Sequence, residues 1–165
     1  MHVETHDQFD PELDLKFERL VKVTAKHLWT GWTDPEVLKT WFCPPPWKTI
    51  ECEINLIPGG IFRTVMQGPD GETTENTGCF LEIVKNRRLT WTWMLGPGYR
   101  PKDTSEAPFA FTATISFEKV PGGTKYTGHV RHTTPEGRKR HDAMGFQQGW
   151  GVTLDQLLAL APLKR

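Results

Sequence analysis

Residues 109–117 read FAFTATISF, with Phe109, Phe111, Ala113, Ile115 and Phe117 at alternate positions and Thr112, Thr114 and Ser116 between the last four. An apolar side chain at every second residue lines one face of a strand but spirals around a helix, so this segment is a strand with one buried face. Segments of the same kind precede and follow it: KTIECEINL from residue 48, IFRTVMQ from 61, TGCFLEIV from 77, RLTWTWML from 88 and TKYTGHVRH from 124. Most are joined by short turns (PGG, GPDGE, KNR, VPGG), and residues 96–108 make one longer loop. Strands joined by turns this short pair antiparallel with their sequence neighbours. The alternation places Ile50, Cys52, Ile54, Leu56, Leu89, Trp91, Trp93 and Leu95 inside. The phase of IFRTVMQ stays open, because Ile61 and Val65 alternate with Phe62 and Met66.

The stretch before residue 48 adds one strand and two short helices. In LDLKFERLVKV, Leu13, Leu15, Phe17, Val21 and Val23 share a face with Arg19. Thr24 is placed to cap a helix over AKHLWTGW that ends near Gly31. Thr33 or Asp34 caps a second one, with Pro35 at its first position, and the run Pro44–Pro45–Pro46 prevents its continuation. After the last strand, one long helix is expected over residues 135–161. Ala143, Phe146, Trp150, Leu154, Leu157, Leu158, Leu160 and Ala161 form its apolar arc, and Arg138, His141 and Asp155 lie elsewhere, His141 in solvent.

The fold class is therefore α+β: a curved antiparallel sheet of seven strands around a long C-terminal helix, with two short helices after the first strand. Residues 13–165 form a single domain and residues 1–12 a loose lead-in. Twenty Lys and Arg balance twenty Asp and Glu, so no basic excess invites nucleic acid or an anionic membrane. No apolar run approaches the roughly 20 residues of a membrane span, and the polar N-terminus is not a secretory signal. Cys43, Cys52 and Cys79 are odd in number and lack CxxC spacing, which fits reduced thiols in the cytoplasm. No metal site or cofactor motif is found: His129 and His132 point to opposite faces of a strand, and GxSxG, HExxH, Walker and dinucleotide fingerprints are missing.

WTDPEVLKTWF, PGGIFRTVMQGPDG, RLTWTW, GGTKYTGHVRH and GFQQGWGVTLDQLLAL resemble the activator-of-heat-shock-protein-90-ATPase-like family. It is part of the START-like, birch-pollen-allergen-like superfamily, and the resemblance spans residues 13–161. It implies a helix-grip fold with a deep apolar pocket, and leaves function to the pocket lining. The eukaryotic activator carries an additional N-terminal domain; with a twelve-residue lead-in here, a chaperone partner is not expected. The resemblance also places Trp32 and Trp41 as structural plugs and Trp47 at the pocket mouth.

The expected site is an apolar cavity between sheet and long helix, walled by Phe62, Trp91, Trp93, Phe109, Phe111 and Trp150. Its polar anchors are side chains that interrupt apolar faces: Arg19, Thr64, His132 and Gln147. Each also has a bland reading: Arg19 pairs with a carboxylate at the sheet end, His132 is exposed, Gln147 reaches solvent. The leading function is binding of a small hydrophobic or aromatic molecule. The alternatives are a cyclase- or hydrolase-like enzyme using His132 and Arg19 on a carbonyl, and a stress-related chaperone cofactor. A homodimer is compatible with the sequence.

Overall fold

The computed structural model describes residues 8–107 and 109–163. Seven strands form one antiparallel sheet: β1 (Asp14–Val21), β2 (Lys48–Ile54), β3 (Ile61–Gln67), β4 (Thr73–Val84), β5 (Arg88–Thr92), β6 (Phe111–Val120) and β7 (Gly123–His132). Their order across the sheet is β1-β7-β6-β5-β4-β3-β2, a meander whose last strand also pairs with its first. Trp91 on β5 lies opposite Ala113 on β6, which lies opposite Val130 on β7, which lies opposite Leu15 on β1. One inward row thus crosses four strands.

The open phase of β3 is resolved. Phe62 and Thr64 are fully buried, and Arg63 points outward to bridge Glu51 and Glu75 at 3.3 and 2.8 Å. β4 starts at Thr73, earlier than alternation indicated, because Thr73–Asn76 are polar yet continue the ladder with β3. A register shift between Thr49 and Glu51 sets Ile50 at a bulge in β2.

Thr24 caps α1 (Ala25–Thr33) by accepting from the His27 amide. The helix does not end at Gly31. A Cβ at Gly31 would lie 2.4 Å from Leu157 Cδ1, so the glycine serves a close helix–helix approach and not a turn. Asp34 closes α1 and caps α2 (Pro35–Leu38) through its own carboxylate on the Glu36 amide.

The expected single C-terminal helix is divided into α3 (Pro135–Ala143) and α4 (Phe146–Leu158). Between them Gly145 adopts φ +95°, a left-handed conformation open to glycine at little cost. The break resets the helical phase, so angles counted across it misplace the residues of α3. On α4, Phe146, Leu154 and Leu157 are buried, and Trp150 lies over β7, where a Cβ on Gly128 would meet its ring at 2.4 Å.

Residues 1–7 of the expected lead-in lie outside the described residues. The remainder folds back on β1: the Asp10 amide donates to Asp14 Oδ2, and the Phe9 ring stands 5.7 Å from His129. On that outer face His129 Nε2 donates to Asp14, and its Nδ1 receives Arg131 Nη2. His129 and His132 do face opposite sides of β7, as strand parity requires.

Candidate functional site

Between the sheet and the helices, aromatic side chains from five elements and two connecting segments close a circuit. Phe42 contacts Phe62, Phe62 stacks on Trp93 at 5.2 Å, and Trp93 meets Phe111. Phe111 stacks on His141 at 5.1 Å, and His141 meets Phe146 edge-on. Phe146 contacts Trp150, Trp150 contacts Trp32, and Trp32 returns to Phe42 at 5.5 Å. Trp91 lies within this annulus and touches Trp32, Phe62 and Trp93 at 5.0, 5.4 and 6.2 Å. Its neighbours along the inward row, Ala113 and Val130, are small.

Burial divides the annulus into floor and rim. Trp32, Phe62, Trp91 and Phe146 are buried, whereas Phe42, Trp93, Phe111, His141 and Trp150 stay half-buried. The rim residues come from connecting segments (Phe42, Trp93), a strand start (Phe111) and the last and first turns of the C-terminal helices and beyond (His141, Trp150). Gly78, on the inward face of β4, gives Trp93 its place: a Cβ there would lie 2.7 Å from the Trp93 ring.

Three polar features interrupt this apolar surface. Trp91 Nε1 and Thr64 Oγ1 are buried without a hydrogen-bond partner. The third is a histidine pair. His132 Nδ1 is 2.8 Å from the Leu13 carbonyl, and His132 Nε2 is 2.8 Å from His141 Nδ1. Burial lowers the basicity of both rings. His141 is pushed down to about 4 by burial first and by the adjacent His132 second. Both are therefore neutral near pH 7. His141 also lies flat on Phe109, 4.2 Å away at 14°.

Of the residues expected in the site, Phe62, Trp91, Trp93, Phe111 and Trp150 belong to the annulus, and Thr64 follows Phe62 on the same face of β3. Phe109 and His132 join its edge through His141. Three do not come together with them. Gln147 is exposed at the margin of the apolar arc of α4, and its amide donates to the Lys16 carbonyl at 2.9 Å. Arg19 pairs with Asp155 at 2.6 Å, satisfying the charge locally. It is in register with Tyr126, six positions from His132 along β7, roughly 20 Å at about 3.3 Å per residue, so the two do not meet on one carbonyl. Trp47 leans on Gly68 at the β3–β4 turn, held there by the proline-rich loop.

Four participants were not expected in the site. His141 was assigned to solvent by counting through a helix that is in fact broken. Phe146 was visible only as part of the apolar arc. Phe42 lies in the segment after α2, two residues before Pro44, where no periodicity marks a face. Trp32 is structural as expected, its indole N–H donating to Tyr126 Oη at 3.1 Å, but its ring also closes the circuit. Trp41 is purely a plug, bonded to the Gly31 carbonyl at 3.0 Å.

The annulus fills the expected place of the pocket, with Phe42, Trp93, Phe111, His141 and Trp150 at its half-buried rim. Two hollows lie at the periphery. One of about 240 Å³ is lined by Phe109, Ala110, Thr134, Gly137 and Arg140; another of about 320 Å³ lies beside Arg19 and Leu20. Among the described residues no cluster of His, Cys, Asp and Glu is suited to a metal ion. Burial raises all three thiols, Cys52 to about 12, so none is a ready nucleophile. No helix among the described residues is long and apolar enough to cross a membrane.

The profile of the family described as activator of Hsp90 ATPase homolog 1-like protein matches residues 22–161. The chain belongs to this family. A solved structure of a protein from Nitrosomonas europaea shares 45% identity and superposes with a TM-score of 0.85, covering 91% of this chain and 94% of that one. A second, from Rhodobacter sphaeroides, shares 25% identity at a TM-score of 0.75, over 91% and 93% of the two chains. The AHSA1-like protein from Aeromonas hydrophila, at 19% identity and a TM-score of 0.68, covers 93% of this chain and 100% of its own, and attests the fold alone. No curated protein sequence matches the chain. The AHSA1-like fold is the helix-grip arrangement of the START-like superfamily, and the annulus occupies the space where its sheet and C-terminal helix face each other.

Proposed function

We propose that the protein binds a small planar aromatic or apolar molecule within the annulus, against Trp91. The observation that carries this reading is the indole N–H of Trp91, 1% exposed and without a partner amid aromatic rings. A buried donor left unmatched costs about 1–3 kcal/mol. An acceptor oxygen on a bound ligand would recover that cost. Apolar walls with few polar groups are the usual composition of a small-molecule site. The half-buried rim rings are the ones that would part to admit a ligand, since they have the fewest neighbours to disturb.

Calorimetric titration with 2-methoxynaphthalene, a two-ring arene with an acceptor oxygen, tests the reading. Saturable one-to-one binding is expected, and Trp93→Ala should weaken it by about ten-fold through the lost stacking wall. Absence of saturable binding to the native protein would sink the proposal. With saturable binding in hand, mass spectrometry of molecules retained through purification identifies the physiological ligand.

A further inference from the structure

The histidine pair limits which ligands suit the rim, because its hydrogens can be assigned. A carbonyl oxygen only accepts, so His132 Nδ1, 2.8 Å from Leu13 O, carries a proton. In a neutral ring Nε2 is then bare. His141 Nδ1, 2.8 Å from that Nε2, must therefore be the donor. His141 Nε2 is left with an unshared lone pair. The alternative, a proton shared on a cationic pair, is opposed by burial of both rings, which outweighs the Leu13 carbonyl and Asp14 that favour a charged His132.

The position of His141 is fixed by more than this bond. Its ring lies on Phe109 and Phe111 at 14° and 26°, with Phe146 against its edge. A half-buried ring held on three sides presents its acceptor in a defined direction. Among the described residues no protein donor meets Nε2.

We propose that the ligand of the annulus is a neutral hydroxyarene, which donates its hydroxyl hydrogen to His141 Nε2. This rests on the binding reading above and adds the chemical class. An ether of the same shape has no hydrogen to give. A carboxylate would set its own lone pairs against that of the imidazole.

The test compares 2-naphthol, 2-methoxynaphthalene and 2-naphthoate by calorimetry at neutral pH on the native protein and on His141→Phe. Phe keeps the stacking on Phe109 and Phe111 and removes the acceptor. The native protein should bind 2-naphthol about ten-fold more tightly than the ether, the discrimination expected of one matched hydrogen bond. In His141→Phe the two should bind alike. Equal affinities in the native protein would overturn the hydroxyarene assignment and leave the annulus as the binding site. Preference for 2-naphthoate would overturn it as well. No binding of either neutral arene would remove the binding reading and this inference together.

Discussion

Gly128 lies directly beneath Trp150: a Cβ built on the glycine would fall 2.4 Å from Cζ3 of the indole and 2.9 Å from Cε3. Gly128 is in the middle of β7, paired with both β1 and β6, so the backbone beneath the ring has little freedom to retreat. The indole is held in turn by Phe17, Trp32 and Phe146. The glycine is the contact that lets α4 sit close to the sheet.

Gly128→Ala should therefore destabilise the protein by about 1–3 kcal/mol, the usual cost of overpacking a tight core. Gly31→Ala offers a contrast. Its Cβ would meet a terminal methyl of Leu157, and alanine raises helix propensity by about 1 kcal/mol relative to glycine, so the loss should be smaller. Urea denaturation of both variants checks the order; an equal or greater loss for Gly31→Ala would contradict the rigid-ring argument.

The sheet was legible because alternation along FAFTATISF or RLTWTW follows directly from the pleat. The helix caps at Thr24 and Asp34 were legible because a single side chain meets a single amide. The annulus was only half legible. Phe62, Trp91, Trp93, Phe111 and Trp150 were visible as inward residues, but closure through Phe42 and Phe146 depends on contacts between elements far apart in sequence. The break at Gly145 was missed because an isolated glycine inside a helical pattern is tolerated, at a cost of about 1 kcal/mol, and does not by itself mark an end. That one error carried His141 to solvent; Gln147, counted within α4 itself, was misplaced because it sits at the margin of the apolar arc, where its side chain reaches out.

Acid should weaken the fold through its histidines. The rings of His129, His132 and His141 are all less basic in the folded protein than in an unfolded chain, chiefly through burial. A base whose folded value is depressed takes up fewer protons folded than unfolded, so its contribution is intact above the ordinary histidine value near 6.5 and declines as pH falls below it. For His141 the decline continues to about 4. Each histidine contributes a slope of at most about 1.4 kcal/mol per pH unit. Unfolding free energies measured at stepwise lower pH should therefore fall less steeply in His141→Phe than in the native protein. Parallel curves would show that His141 is not shielded as described.

Tyr126 tests the link between α1 and the sheet. Its hydroxyl accepts from the Trp32 indole at 3.1 Å, and burial holds the phenol neutral far above any working pH. Tyr126→Phe removes the acceptor and strands the buried indole N–H. A loss of about 1–2 kcal/mol is expected, with little change in the sheet itself. Thermal unfolding of the variant measures it; an unchanged midpoint would mean that the hydrogen bond contributes nothing net.

Thr64 gives the opposite sign. Its hydroxyl is fully buried on the inward face of β3, opposite Cys52 on β2 and Asn76 on β4, and has no hydrogen-bond partner. Thr64→Val exchanges that hydroxyl for a methyl of nearly the same volume and keeps the β-branched shape suited to a strand. The folded protein loses an unmatched polar group and should gain about 1 kcal/mol or more in stability. If the hydroxyl serves a ligand seated near Phe62, affinity for an arene bearing a hydroxyl should fall while affinity for an unsubstituted arene should hold. Melting temperature and calorimetric affinity on the same variant separate the effects. A stabilised variant with unchanged ligand preference would mark Thr64 as a polar residue outside the ligand's reach, and a destabilised one would show that its hydroxyl is matched after all.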